Sequence, residues 1–240
     1  MARREELKVK APEQQDTYEP VWQQRSVDRS LQNARLRAKE RSDRFVAAAV
    51  EILAEHDESE VTIQDVVDRS GMSLRTYYGF FDGRESLLLA AYETILSQTA
   101  MPMLRERCEQ VADPVERIKA LMQAMVELGL APGKLSRALS TIHLRLAEAR
   151  PDDLKKALEP LRSFIVELLN GVAEAGRLRS DLDLDTQAAL LQELLLATTH
   201  STVLGGGSAT SAEDLWAFCS AAILRPAVRK RSSAGPSDEQ

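Results

Sequence analysis

The sequence predicts an all-α protein with a three-helix, helix-turn-helix unit near its amino terminus and a larger helical domain after it. Three observations predict this. From Phe45 onward, apolar residues recur at spacings of three and four, as in Phe45, Ala49, Ile52 and Leu53. No segment shows the sustained alternation of a strand. Between Thr62 and Leu88 the chain reads as a cap, a short apolar helix, a glycine turn, a second cap and an aromatic helix.

The first helix begins between Arg29 and Ser42 and is closed by His56–Glu60, HDESE, read as a solvated turn. Thr62, with Asp65 three residues on, has capping-box spacing, and Ile63, Val66 and Val67 supply a buried face. Ser70 and Gly71 stop that helix, since glycine takes the left-handed conformation easily. Ser73 caps the next. Two helices joined by so tight a turn form a helix-turn-helix. Asp82 and Glu85 repeat the capping-box spacing and start a longer helix, which Pro102 should kink or end. Further helices are expected over Pro114–Leu130, Lys134–Arg150, Asp152–Ala175 with an interruption at Pro160, Asp185–Leu204 and Ser211–Leu224. Gly205–Ser211, GGGSATS, reads as a flexible loop. The expected organisation is a mobile extension over 1–28, a DNA-binding unit over 29–88, a ligand-binding and dimerisation domain over 89–226, and a disordered tail over 227–240.

Composition narrows the function. The 240 residues are 44% apolar and 28% charged, ordinary values for a globular chain large enough to bury a core. Cys108 and Cys219 lie far apart inside helical patterns, so neither a disulfide framework nor a metal site is expected. The first twenty residues lack the apolar core of a signal peptide. The most apolar run, Ala188–Leu204, is broken by Gln192, Glu193 and His200. A cytoplasmic protein with no membrane role is therefore expected. No nucleophile elbow, phosphate-cradling glycine loop or paired metal-binding histidines occur, which argues against an enzyme and any cofactor.

The net charge of −6 argues against a nucleic-acid partner unless charge is arranged locally. It is: Arg25–Arg44 holds seven basic residues against three acidic ones. Extending the first helix, this stretch would lay Arg35, Arg37, Lys39, Arg41 and Arg44 along phosphates or into the minor groove; a solvated helix face is the alternative. The segment GMSLRTYYGFF carries the sharper signal. A helix from Ser73 to Phe80 would be about 12 Å long, the width of the DNA major groove. Met72–Phe81 contains no carboxylate. Ser73, Arg75, Thr76 and Tyr77 offer donors, acceptors and a flat ring to base edges, and Arg75 can read guanine with two parallel bonds. Tyr78 can offer its hydroxyl to a phosphate while its ring packs inward, and Gly79 permits close backbone approach. Phe80 and Phe81 read as core. Arg84, beside the free amides of the next helix, suits a phosphate.

The stretch TIQDVVDRSGMSLRTYYGFFDGRESLL closely resembles the DNA-binding segment of the TetR family of bacterial transcriptional regulators. The matching positions are Thr62, Ile63, Gly71, Ser73, Tyr78, Phe81, Arg84, Glu85 and Leu87. Arg84 stands where lysine is commoner, Met72 where valine is and Asp82 where proline is, and Gly79 replaces a larger side chain. The resemblance implies DNA contacts by Arg44, Thr62, Ser73, Leu74, Arg75, Thr76, Tyr77, Tyr78 and Arg84. It implies a homodimeric repressor that binds a palindromic operator in double-stranded DNA and is released by a small, hydrophobic effector. A helical scaffold of the same fold without sequence-specific DNA binding is the alternative. The two last helices, apolar on most sides through Leu190, Leu191, Leu194, Leu195, Leu215, Trp216, Phe218 and Ile223, suit a four-helix dimer interface. Met122, Met125, Leu139, Ile142, His143, Leu146, Phe164 and Leu168 are the expected effector-binding residues; core packing is the competing role for each.

Overall fold

A computed structural model describes residues 21–131, 133–205 and 210–225. The expected extension up to residue 20, the middle of the Gly205–Ser211 loop and the tail beyond 225 lie outside the described residues. The chain divides into two compact units, 1–41 and 42–240.

Helix α1 covers Val21–Glu55, so residues 21–28, expected in a mobile extension, are helical. In the first unit this helix is exposed, Val27, Leu31 and Leu36 included. The remaining helices belong to the second unit: α2 (Ile63–Ser70), α3 (Leu74–Tyr77), α4 (Arg84–Ile95), α5 (Met101–Glu109), α6 (Pro114–Leu130), α7 (Lys134–Ala149), α8 (Pro151–Ala157), α9 (Glu159–Glu174), α10 (Leu184–Leu204) and α11 (Ala212–Ile223). Among the described residues the one β feature is an isolated bridge between Leu178 and Leu224.

Local chemistry accounts for most boundaries. Thr62 and Asp65 form the reciprocal capping box, and Gly71 closes α2 at φ 67°. Ser73 accepts from the Thr76 amide at 3.1 Å. Asp113, Asp183 and Ser211 cap α6, α10 and α11 in the same way. The expected box at Asp82 and Glu85 does not form. Gly83 is the residue before α4, with no side-chain cap, because the Asp82 carboxylate turns instead to Arg150 Nη2 at 2.6 Å. Pro102 falls in the first turn of α5, where its missing N–H costs nothing. Between α4 and α5, residues Leu96–Ala100 form a π-helical stretch.

Two cores build the second unit. One joins α5, α6, α9, α10 and α11 around Ile118, Leu121, Met122, Ile165 and Leu169. The other gathers Phe45, Leu53, Val66, Tyr77, Phe81, Leu87 and Leu88 and continues into Ile142, Leu146 and Leu154 of α7 and α8. Packing therefore runs across the boundary expected at residue 88, with α4 lying on α7 and α8.

Candidate nucleic-acid interface and effector clefts

The helix-turn-helix is α2, the turn at Gly71 and α3. Helix α3 is only four residues long, about half the expected length, and continues as a tight turn in which Gly79 and Phe80 bond back to Thr76 and Tyr77. A side chain at 79 would place its Cβ 3.2 Å from the Thr76 carbonyl oxygen, so Gly79 serves this turn.

The aromatic side chains divide by face. Tyr77 is fully buried, with its ring edge-on to Phe45 at 5.5 Å and tilted against Phe81 at 5.3 Å. Its hydroxyl donates to the Gly83 carbonyl at 2.9 Å, and burial pushes its pKa up to about 12. This corrects the expectation that Tyr77 faces a groove: it is the central pillar of the small core. Phe81 is buried as expected, whereas Phe80 stands at the surface. Tyr78 is 57% exposed, so its ring does not pack inward. Together with Tyr78, the exposed groups are Arg44, Thr62, Ser73, Leu74 and Arg75, with Thr76 half-buried. Neighbouring carboxylates are occupied: Asp65 by Thr62, Asp68 by Gln64 at 2.8 Å and Asp82 by Arg150. Arg75 has no ion pair among the described residues, so its guanidinium is available to a ligand.

Arg84 is a second correction. It donates from Nε to the Val61 carbonyl at 2.8 Å and from Nη2 to the Glu58 carbonyl. The same Nη2 lies 2.7 Å from Glu58 Oε1. Three internal partners leave it poorly placed for a phosphate. Glu58, expected in a solvated turn, is only 6% exposed, on a 3₁₀ turn over Glu58–Glu60. Arg145 of α7 approaches the same oxygen at 3.0 Å and Glu85 at 3.8 Å. Two arginines thus meet one buried carboxylate. Sequence periodicity carries no signal for this cluster, because its arginines are 26 and 87 residues from Glu58 along the chain.

Two of the clefts in the larger helical part bear on the expected effector residues. The wider, about 680 Å³, is bounded by α7 to α10 and carries Lys155, Glu159, Arg162, Asp185 and Glu193 beside Leu154, Leu158 and Leu196. The narrower, about 50 Å³, lies among α4, the π-helical stretch, α5, α6, α7, α9 and α10, and no charged side chain lines it. Of the expected effector residues, Met125 and Leu139 line the narrow cleft and His143 the wide one. Met122, Ile142, Leu146, Phe164 and Leu168 line neither. All five are buried in the two cores, where apolar helix faces meet one another. Tyr92 and Ser140, not among the expected residues, belong with His200 to the narrow cleft's surroundings: Tyr92 Oη is 3.1 Å from His143 Nδ1, and the His143 and His200 rings are 4.4 Å apart. Burial, with His200 contributing, pushes His143 down to about 4, and burial lowers His200 as well. No group of three or more metal-ligating side chains occurs among the described residues. No helix there is long and apolar enough to cross a membrane.

Solved structures share this fold. RolR in complex with resorcinol aligns with a TM-score of 0.63 at 18% identity, covering 78% of this chain and 89% of that one. Escherichia coli NemR in its reduced form gives 0.59 at 18%, covering 79% and 100%. FadR from Bacillus subtilis in complex with stearoyl-CoA gives 0.56 at 15%, covering 74% and 95%. A comparison with curated proteins gives no match. The model of bacterial regulatory proteins of the tetR family matches residues 45–91, the span from the buried Phe45 through the helix-turn-helix into α4. Over that segment, whose capping box, left-handed glycine turn and aromatic pillar are described above, the chain is similar to the tetR family of bacterial regulatory proteins.

Proposed function

We propose that this protein is a transcriptional repressor that binds a palindromic operator as a homodimer and lets go when a small molecule occupies its helical domain. The observation that carries the reading is the exposed edge of the helix-turn-helix. Ser73, Leu74, Arg75 and Tyr78 project from an element locked by its own caps and by Tyr77, and the nearby carboxylates are already engaged. Arg75 supplies base reading, while Arg44, Thr62, Ser73 and Tyr78 supply backbone contacts.

The dimer reading rests on α10 and α11. Leu191, Leu195, Leu215, Cys219 and Ile223 are buried in the protein's own core, yet Leu190 is 54% and Phe218 69% exposed. These two flank an apolar groove of about 340 Å³. An identical surface brought up by a two-fold axis would cover both. As for release, solved proteins of this fold are described with resorcinol and with stearoyl-CoA. That contrast supports a small-molecule effector without deciding its class.

Gel-shift titration of purified protein against random duplex DNA, with selection of bound sites, tests the proposal. A dimer making 6–10 phosphate contacts loses about 10³–10⁵ in affinity between 50 and 200 mM salt. Selected sites should be palindromic, mirroring the two-fold axis. Absence of duplex binding at low salt refutes the reading and leaves the helical-scaffold alternative.

A further inference from the structure

We propose that the narrow cleft is the effector seat and that the effector is a small uncharged hydrocarbon carrying a hydroxyl or carbonyl group, bound through Ser140 and His200. This rests on the ligand-responsive reading above and adds the chemistry of the ligand.

The argument starts from hydrogen bonds. Two hydroxyls on the cleft wall are already used: Ser136 donates to the Leu128 carbonyl and Thr199 to the Leu195 carbonyl, both at 2.9 Å. The Tyr92 hydroxyl is paired with His143. Ser140 and His200 remain. Ser140 is 3% exposed and lines the cleft, and neither its hydroxyl nor the His200 ring has a hydrogen-bond partner among the described residues. Buried polar groups are almost always paired, so the unpaired hydroxyl of the buried Ser140, with the half-buried His200 ring on the same wall, calls for a partner that enters the cleft.

Charge then selects the partner. The other walls are supplied by Leu96, Ala100, Leu104, Met125, Leu139 and their apolar neighbours. An ion placed there would lose its hydration with no countercharge to replace it. Burial holds the two imidazoles neutral near pH 7, so they exchange hydrogen bonds without demanding an anion. The wide cleft, with five charged side chains, lacks this selectivity. The wide cleft meets the narrow one only at Leu196, whereas a third cleft of about 240 Å³ shares Leu96, Met101 and Leu161 with it.

Size implies movement. A cleft of about 50 Å³ holds a water or two, whereas a cavity that takes benzene measures about 150 Å³. Walls that can yield are present. Met101 and Met125 are unbranched and adaptable, and Leu96 and Ala100 sit on the π-helical stretch, a distortion that can be redistributed along a helix. That stretch continues directly from α4, whose Leu87 and Leu88 lie in the core beneath the helix-turn-helix.

Calorimetric titration of the full chain with phenol and cyclohexanol, against benzoate and cyclohexylamine as charged counterparts, tests the assignment. The neutral probes should bind saturably at millimolar concentration, and the charged ones at least about tenfold more weakly. Ser140→Ala should weaken phenol about three- to tenfold, the worth of one neutral hydrogen bond. Ala100→Trp, which fills the seat, should abolish binding; thermal unfolding of each unliganded variant checks that it is folded. Equal binding of benzoate, phenol binding unchanged in Ser140→Ala, or no binding of either neutral probe, the result if the two polar groups hold only water, would overturn it. A parallel gel shift without probe separates the two readings. Duplex binding with no neutral probe bound refutes the seat alone, whereas failure to bind any duplex refutes the regulator.

Discussion

Arg75 and Tyr77 stand two positions apart on one short helix and have opposite fates. The first is exposed without an ion pair, and the second is wholly buried with its hydroxyl spent on Gly83. Replacing Arg75 by Ala should cost about 1–3 kcal/mol at the base it reads while leaving the thermal midpoint unchanged. Site selection with the variant checks this; an unaltered consensus would remove Arg75 from base reading. His143 gives a prediction in pH. Its folded pKa lies near 4, below the ordinary value of about 6.5, so the unfolded chain binds the proton first as pH falls. Stability from neutral His143 is complete above about pH 6.5 and is lost progressively as pH falls towards 4, by at most about 3 kcal/mol. Urea unfolding at pH 7 and pH 4.5 should show a larger drop in wild type than in His143→Gln. Equal drops would mean that the proton is taken up elsewhere. Exposure of Arg75 was legible in the order of caps and apolar residues, but the inward turn of Tyr77 was not. Tyr77 and Tyr78 are adjacent rings with equal claims on the interior, and only the positions of Phe45 and Phe81 decide between them.

Among the elements, the loop before α2, the start of α4 and the second half of α7 meet at Glu58. A buried carboxylate shared by Arg84 and Arg145 ties the helix-turn-helix to the helix that also carries Ser140 and His143. Arg84→Ala should destabilise the protein by up to about 3–5 kcal/mol, because the charge left behind loses its nearer partner. Arg145→Gln should cost less, since its side chain is partly exposed. Their effects should not add: a double-mutant cycle in urea is expected to show at least about 0.5 kcal/mol of interaction. Additivity within about 0.3 kcal/mol would mean that the two arginines act independently. The helices from α6 to α11 were readable to within a residue or two from proline, glycine and capping positions, whereas α3 is half its expected length and α5 was not foreseen. Their ties were not, since an ion pair such as Arg150 with Asp82 joins residues 68 apart whose spacing follows no local rule.

For the whole molecule the exposed Phe218 poses the main question, because a large apolar side chain beside an apolar groove calls for a cover. Phe218→Asp should convert a dimer into a folded monomer in sedimentation. Operator affinity should then fall by about 10²–10⁴, as two half-sites cease to be engaged together. A dimer unchanged by the substitution would place the interface on another face.

By itself, the sequence determined the helical class, the order of helices, the capped turn and the family segment. These depend on interactions within a few residues: a serine and the amide three positions on, a glycine free to turn left-handed, an apolar stripe of period 3.6. Only the tertiary structure decided which ring became the pillar, that Arg84 serves Glu58, and that Met122, Ile142, Leu146, Phe164 and Leu168 fill cores while Ser140 and His200 stand unpaired over a cleft. The physical reason is that burial and pairing are set by neighbours far away in the chain, whereas helix start, stop and period are set by neighbours close by.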